Sequence, residues 1–385
     1  MTQNSYGLFD SNYAAKKAAA SVARWNDGVK RHTLYTVCGT TQDGWGIVNI
    51  PYEAEAKAAL YKLYYSIGGT DPPPVDGERG PNINLINTDA VVGVYADPAL
   101  FNWVPVSYPA SMPTGAGLLD NDWQPQNISF LDSVTLGVKE LTSLILATPG
   151  TFALVGMSQG AMVITKVLHA MMTPGTALSA RMGDCIAGLA YGNPHRKPGA
   201  SFTGGTHLKL NVGGVSYVGG GLFSSAPPAT TPAALAQNML LGNGSVTTPD
   251  WWWEMCTPND FFADSPITTI AGAVMGEIAR VAVGIRGGID PMEMMRNIAG
   301  AFLKPGAITW DGFASLLQTL SQPKVTKVIT DWLGAFSAPT PNPHILYGVL
   351  SPPTLPTGLG LAPKATYHEV GVAYMNARGR AIAPR

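Results

Sequence analysis

The sequence predicts an α/β protein organised on a central, mainly parallel sheet, and three observations carry that expectation. Short runs rich in β-branched and apolar residues recur at Thr33–Cys38, Phe101–Val106, Phe152–Val155, Cys185–Tyr191 and Trp251–Met255, each of strand length. A long amphipathic helix over Ile128–Ala147 precedes the Phe152 run, with Leu131, Val134, Val138, Leu141 and Ile145 recurring at helical spacing. The Phe152 run then passes through Gly156-Met157-Ser158-Gln159-Gly160 directly into a helix over Ala161–Leu168, completing a βαβ-type unit.

The remaining elements follow in order. Residues 1–32 read as a polar N-terminal arm with one helix, Ala14–Arg24, rich in the good helix formers Ala and Lys. The Thr33–Cys38 strand runs into the turn Gly39-Thr40-Thr41. Tyr52–Ser66 has the spacing of a helix, and Gly68–Asn84 is a Pro/Gly loop. The Cys185–Tyr191 strand ends in Gly192-Asn193-Pro194, and Gly199–Pro249 reads as a long surface excursion. Three consecutive tryptophans, Trp251 to Trp253, suit a strand that packs on both faces. From residue 265 to residue 336 the pattern is helical, an insertion expected to form a cap or linker, with Met292, Met294 and Met295 offering adaptable apolar surface. Residues 33–264 and 337–385 then make the core, closing with a helix over Ala365–Ala377.

Composition excludes several function classes. The 385 residues carry a net charge of −1 with 13% charged residues, so no surface for nucleic acid is expected. Low charge with many Gly, Pro and Met fits contact with an apolar or lipidic surface. There is no basic start followed by an apolar core of a secretory signal, and no transmembrane run. Cys38, Cys185 and Cys256 form no disulfide framework; one bridge, such as Cys185–Cys256, and three free thiols are both open. No cofactor and no metal site is expected.

The chemistry starts at Ser158. Strand, sharp turn and helix are the context in which G-x-S-x-G is a nucleophile elbow, and the helix N-terminus aims N–H groups at a developing oxyanion. A serine hydroxyl needs a histidine to take its proton, and the histidine needs a carboxylate. In α/β-hydrolase order the acid follows the serine and the histidine comes last. Asp184 precedes its strand and sits at the wrong sheet edge, whereas Asp260 and Asp264 follow the Trp251 strand, with Asp260 nearer its end. His32 precedes the first strand, His169 lies on the elbow helix, and His195 and His207 fall between serine and acid. That leaves His344, in a proline-bounded loop, preferred over His368, which is expected on the outer side of the last helix.

The ordered set Leu34-Tyr35-Thr36-Val37-Cys38-Gly39-Thr40, Gly156-Met157-Ser158-Gln159-Gly160-Ala161, Tyr191-Gly192-Asn193-Pro194 with Arg196, Asp260, and Pro343-His344-Ile345-Leu346-Tyr347 resembles the lysin B family. These are mycolylarabinogalactan esterases of phages that infect mycobacteria, relatives of the cutinases. The resemblance implies a cutinase-like α/β-hydrolase fold with a helical block between acid and histidine. It implies Ser158 as nucleophile, Asp260 as acid and His344 as base. It implies oxyanion donors at the Gln159 backbone N–H and at the Gly39-Thr40-Thr41 turn, with Thr40 preferred. It departs from the family at Cys38, where a histidine is frequent, and in the length of the 68–84 and 199–249 loops.

The function so implied is a serine esterase acting on the mycolate–arabinogalactan ester, or on another lipid ester, during host lysis. It would be made in the host cytoplasm without a signal peptide and act at the cell wall after release. A cutinase-like esterase of another role, and a virion-associated binding module on an esterase-like fold, are the alternatives at this point.

Overall fold

The structure, a computed structural model, describes residues 28–40, 88–106, 108, 110, 130–200, 209–212, 215–223, 248–258, 260, 262–265, 344, 347–348 and 350–385. The helices expected over Ala14–Arg24, Tyr52–Ser66 and residues 265–336 lie outside the described residues apart from Ser265, as do Met292, Met294 and Met295.

Five parallel strands form the sheet in the order β2-β1-β3-β4-β7. They are β1 (His32–Val37), β2 (Phe101–Pro105), β3 (Phe152–Met157), β4 (Cys185–Tyr191) and β7 (Trp252–Met255). β1, β3 and β4 are buried along their whole length, which is why their sequences read as continuous apolar runs rather than alternations. All crossovers therefore deliver the strand ends to one edge, where Val37, Met157, Tyr191 and Met255 finish side by side. A ligand site in an open parallel sheet belongs at that edge.

Helices cover both faces. α2 (Phe130–Ala147) and α3 (Gln159–Met172) pack on one, burying Val134, Leu141 and Ile145 against Val163, Val167 and Leu168. α1 (Thr88–Tyr95) and α4 (Tyr367–Ala381) cover the other, where Val92, Val370, Tyr374 and Met375 meet Leu34, Val155 and Leu189. The tryptophans of β7 divide between the faces. Trp252 lies over Gly188 on the α3 side, where a Cβ would come within 2.0 Å of the indole, and Trp253 stacks on Tyr374 of α4 at 3.7 Å. The last helix begins with a capping box, Thr366 and Glu369 each bonding the other's backbone N–H. Among the described residues no helix is long and apolar enough to cross a membrane, and no group of three His, Cys, Asp or Glu could hold a metal ion.

The structure departs from the sequence reading in several places. His32 is the first residue of β1 rather than a residue before it, because it pairs with Phe101 of β2 and its N–H donates to the Leu100 carbonyl at 2.9 Å, while its ring bonds Thr151 Oγ1 at 2.7 Å and the Gly379 carbonyl at 3.1 Å. The 199–249 excursion contains an antiparallel hairpin, β5 (Lys209–Val212) with β6 (Val215–Val218). Its KLNV and VSYV segments flank Gly213-Gly214, a hairpin signature. Cys38, Cys185 and Cys256 are buried and form no disulfide. A Cys185–Cys256 bridge is excluded by register: Tyr191 pairs with Met255, which puts Cys256 at the opposite sheet edge from Cys185. At 3.3 Å per residue the two lie roughly 20 Å apart, far beyond disulfide reach.

Candidate active site

Ser158 follows β3 directly and carries φ 53° and ψ −113°, a conformation disfavoured for any residue with a Cβ. Strain of this kind costs about 1–3 kcal/mol and persists only where the surroundings impose it. Here the Ser158 N–H donates to the Tyr191 carbonyl at 2.8 Å, and the Met162 N–H donates to the Ser158 carbonyl at 3.1 Å. The flanking glycines are steric necessities. A Cβ on Gly156 would stand 2.5 Å from the Gly160 carbonyl oxygen, and one on Gly160 would stand 2.0 Å from the Val37 carbonyl oxygen. The turn is therefore sharp because the first turn of α3 sits directly against both β3 and the end of β1.

That packing brings the two residues with proposed oxyanion roles together. Gln159 is buried; its Oε1 accepts from Ser133 Oγ at 2.8 Å, and its Nε2 donates to Thr40 Oγ1 at 3.4 Å. The backbone before Thr40 is fixed from the other side by Tyr108, whose hydroxyl donates to the Cys38 carbonyl at 2.6 Å. Thr41 lies outside the described residues.

Two strands away, Asp260 follows β7 and is fully buried. His344 Nδ1 lies 2.9 Å from both Asp260 carboxylate oxygens. A carboxylate only accepts, so with Asp260 ionised Nδ1 carries the proton and the lone pair of the neutral ring is on Nε2. Asp260 Oδ2 also accepts from the Tyr347 hydroxyl at 2.6 Å, and Oδ1 accepts from the backbone N–H groups of Phe262 at 2.8 Å and Ala263 at 3.2 Å. Burial works against the charge on Asp260, but attraction to the adjacent His344 ring and the bonds from His344, Tyr347 and Phe262 outweigh it, and its pKa is lowered. The Phe262 ring covers the imidazole at 4.5 Å between centroids.

Gly192 links this pair to the elbow. It follows Tyr191, the residue whose carbonyl holds the Ser158 N–H, and its own N–H donates to the Met255 carbonyl at 3.0 Å. A Cβ on Gly192 would stand 2.6 Å from His344 Cε1 and 3.2 Å from Asp260 Oδ2. The imidazole thus rests on the end of β4, between the strand that ends at Ser158 and the strand that leads to Asp260.

The less-favoured candidates lie elsewhere. Asp264 pairs with Arg196 at 2.9 Å, both buried. Asp184 pairs with Arg181 at the opposite sheet edge. His368, expected on the outside, is buried: the capping box starts α4 so that the ring faces Tyr191 edge-on and the backbone N–H of His368 donates to the Tyr347 carbonyl at 3.2 Å.

Sequence reasoning missed the second tier. Asn193 Nδ2 donates to Glu254 at 3.1 Å and to Thr165 Oγ1 at 3.0 Å, joining the ends of β4 and β7 to the middle of α3. Glu254 is fully buried, and desolvation pushes its pKa up to about 7 against the bonds from Trp252 and Asn193 and the charge of Arg196. The signal lay in Asn193 and Tyr347 beside the motif residues, but nothing local names their partners.

No protein-family model and no curated protein sequence matches the chain. Among solved structures it is similar to lysin B from Mycobacteriophage D29, at 17% identity over 79% of this chain and 91% of that one, with a TM-score of 0.39. It is also similar to an acetylxylan esterase, at 16% identity over 68% and 100% of the two chains and a TM-score of 0.30. A third is a cutinase-like protein from Cryptococcus sp., at 14% identity over 79% and 95% and a TM-score of 0.28.

Proposed function

We propose that the chain is a serine esterase with Ser158 as nucleophile, His344 as base and Asp260 as acid. The observation that carries this reading is the Asp260–His344 pair seated on Gly192, next to the strained Ser158 turn at one sheet edge. In the reaction, Nε2 of His344 takes the Ser158 Oγ proton as Oγ attacks the ester carbonyl. The backbone N–H groups of Gln159 and Thr40 stabilise the tetrahedral oxyanion. Collapse expels the alcohol, which receives the proton from His344, and leaves an acyl-serine. Water, deprotonated by the same imidazole, then releases the acid and restores Ser158.

The substrate we propose is the ester between mycolic acid and arabinogalactan, cut at the cell wall of a mycobacterial host during phage lysis. Its support is the ordered set of motifs around Ser158, Gly192-Asn193-Pro194 and His344. Hydrolysis of p-nitrophenyl butyrate by pure protein tests the chemistry. Ser158→Ala should lower kcat on the order of 10³-fold or more, and equal rates would reject the mechanism. Release of free mycolic acid from mycolyl-arabinogalactan tests the substrate; turnover of butyrate without it would leave an esterase of another role.

A further inference from the structure

One fully buried cation stands behind the acid. Arg196 Nε donates to the Ala263 carbonyl at 2.6 Å, Nη1 to the Ala200 carbonyl at 2.6 Å, and Nη2 to Asp264 Oδ1 at 2.9 Å. Two of these bonds land on the turn that carries Asp260. The Ala263 N–H donates to Asp260 Oδ1 at 3.2 Å, and the Asp264 N–H donates to the Asp260 carbonyl at 2.6 Å. The carboxylate and the main chain of Asp260 are each one hydrogen bond from a group that Arg196 holds.

The segment after β6 closes over this pair. A Cβ on Gly219 would stand 1.6 Å from Asp264 Oδ1, so only glycine lets the chain pass. Beyond it, Gly221 N–H donates to the Arg196 carbonyl at 2.8 Å and Leu222 N–H to the Phe262 carbonyl at 2.8 Å, while Gly220 and Ser265 exchange both backbone bonds. The hairpin thus returns to the acid turn rather than standing apart from it. A buried ion pair is a poor source of net stability, because desolvation offsets most of its attraction. Its distinctive property is geometric: a planar fork with fixed donor directions, here aimed at the turn.

We propose that Arg196, with Asp264, is a positioning residue that orients the Asp260 carboxylate toward His344. The proposal rests on the reading of Asp260 as the acid of the triad. Lysine at 196 keeps the charge but cannot supply three donors in one plane. The double variant Arg196→Gln, Asp264→Asn removes both charges together, so neither is left buried alone. Both are assayed with p-nitrophenyl butyrate, in the wild-type background and in Asp260→Asn, with near-ultraviolet circular dichroism to verify folding. The downfield proton resonance of His344 Nδ1–H gives a second readout.

R196K should lower kcat by about 10-fold to 10²-fold with KM within about twofold, and should shift or broaden that resonance. In D260N the same change should cost nothing more, because the residue acts through the missing carboxylate. A folded R196K with wild-type kcat and an unmoved resonance would overturn the proposal. So would a loss of equal size in both backgrounds, which is the mark of a general structural role. Where R196K fails to fold, the double variant carries the same comparison. Undiminished activity of D260N alone would instead reject the triad reading.

Discussion

Tyr347→Phe removes one oxygen from the acid's shell and little else. The phenol is fully buried and stands edge-on to Tyr191 at 5.4 Å and to Tyr367 at 5.5 Å, contacts that phenylalanine keeps. What is lost is the 2.6 Å bond to Asp260 Oδ2, a longer contact of the same hydroxyl to the Met255 carbonyl at 3.4 Å, and the acceptor for the Thr257 N–H at 3.4 Å. A hydrogen bond to a charged group is worth about 1.5–3 kcal/mol, so the variant should be destabilised by about 2 kcal/mol at pH 7. The sign of the pH dependence follows from Asp260. Its folded pKa is lowered, so its contribution is present above the unfolded carboxylate value and is lost as pH falls through the folded one. Losing the Tyr347 bond raises the folded pKa, so the variant gives up that contribution sooner on acidification. Urea denaturation at pH 7 and at values stepping down from about 4 to about 2.5, through the lowered folded pKa, measures both effects. A difference below about 0.5 kcal/mol at pH 7 would refute the reasoning, because a charged bond of this geometry cannot be worth so little. A gap that fails to narrow in acid would show that Asp260 is not the group involved.

Three further outcomes follow from the same geometry. Gly192→Ala, at φ 57° and with a Cβ 2.6 Å from His344 Cε1, should displace the imidazole and lower kcat on the order of 10²-fold; an unchanged kcat for p-nitrophenyl butyrate would contradict that seat. Glu254, raised to about 7 by burial, should cost the wild type on the order of 3 kcal/mol as pH rises from about 4.5 to 7, since the unfolded chain ionises first. Glu254→Gln should lack that slope in urea titrations, and parallel curves for the two proteins would argue against a neutral buried carboxyl. All three thiols should resist a thiol reagent in the native protein and react in denaturant, whereas fewer than three titrating without reductant would indicate a bridge.

The parts of this fold that were legible are those whose signal is local. β3, the elbow and α3 follow one another without a gap, and full burial makes β1 and β4 apolar runs whatever surrounds them. α1 was not legible because Val91, Val92 and Val94 are β-branched residues that suit a strand equally well. Tertiary contact decides it: Gly93 lets the helix close on Trp103, where a Cβ would come within 2.1 Å of the indole nitrogen. The site divides the same way. Chain order and strand ends single out Ser158, Asp260 and His344, while position alone left Asp264 and His368 as rivals. In the folded chain Asp264 pairs with Arg196 and His368 stands edge-on to Tyr191, neither of which their positions in the sequence foretell. The bonds from Tyr347 to Asp260 and from Asn193 to Glu254 span 87 and 61 residues, and no local pattern encodes such a pairing.

The central claim is that Ser158 is the nucleophile of an ester hydrolase, and covalent labelling tests it most directly. The protein is titrated with a fluorophosphonate while residual p-nitrophenyl butyrate hydrolysis is followed, and the adduct is located by peptide mass mapping. One phosphonyl group on Ser158, accumulating in proportion to the lost activity, is the expected result. Complete inactivation with Ser158 unmodified, or full labelling of Ser158 with turnover intact, would contradict it.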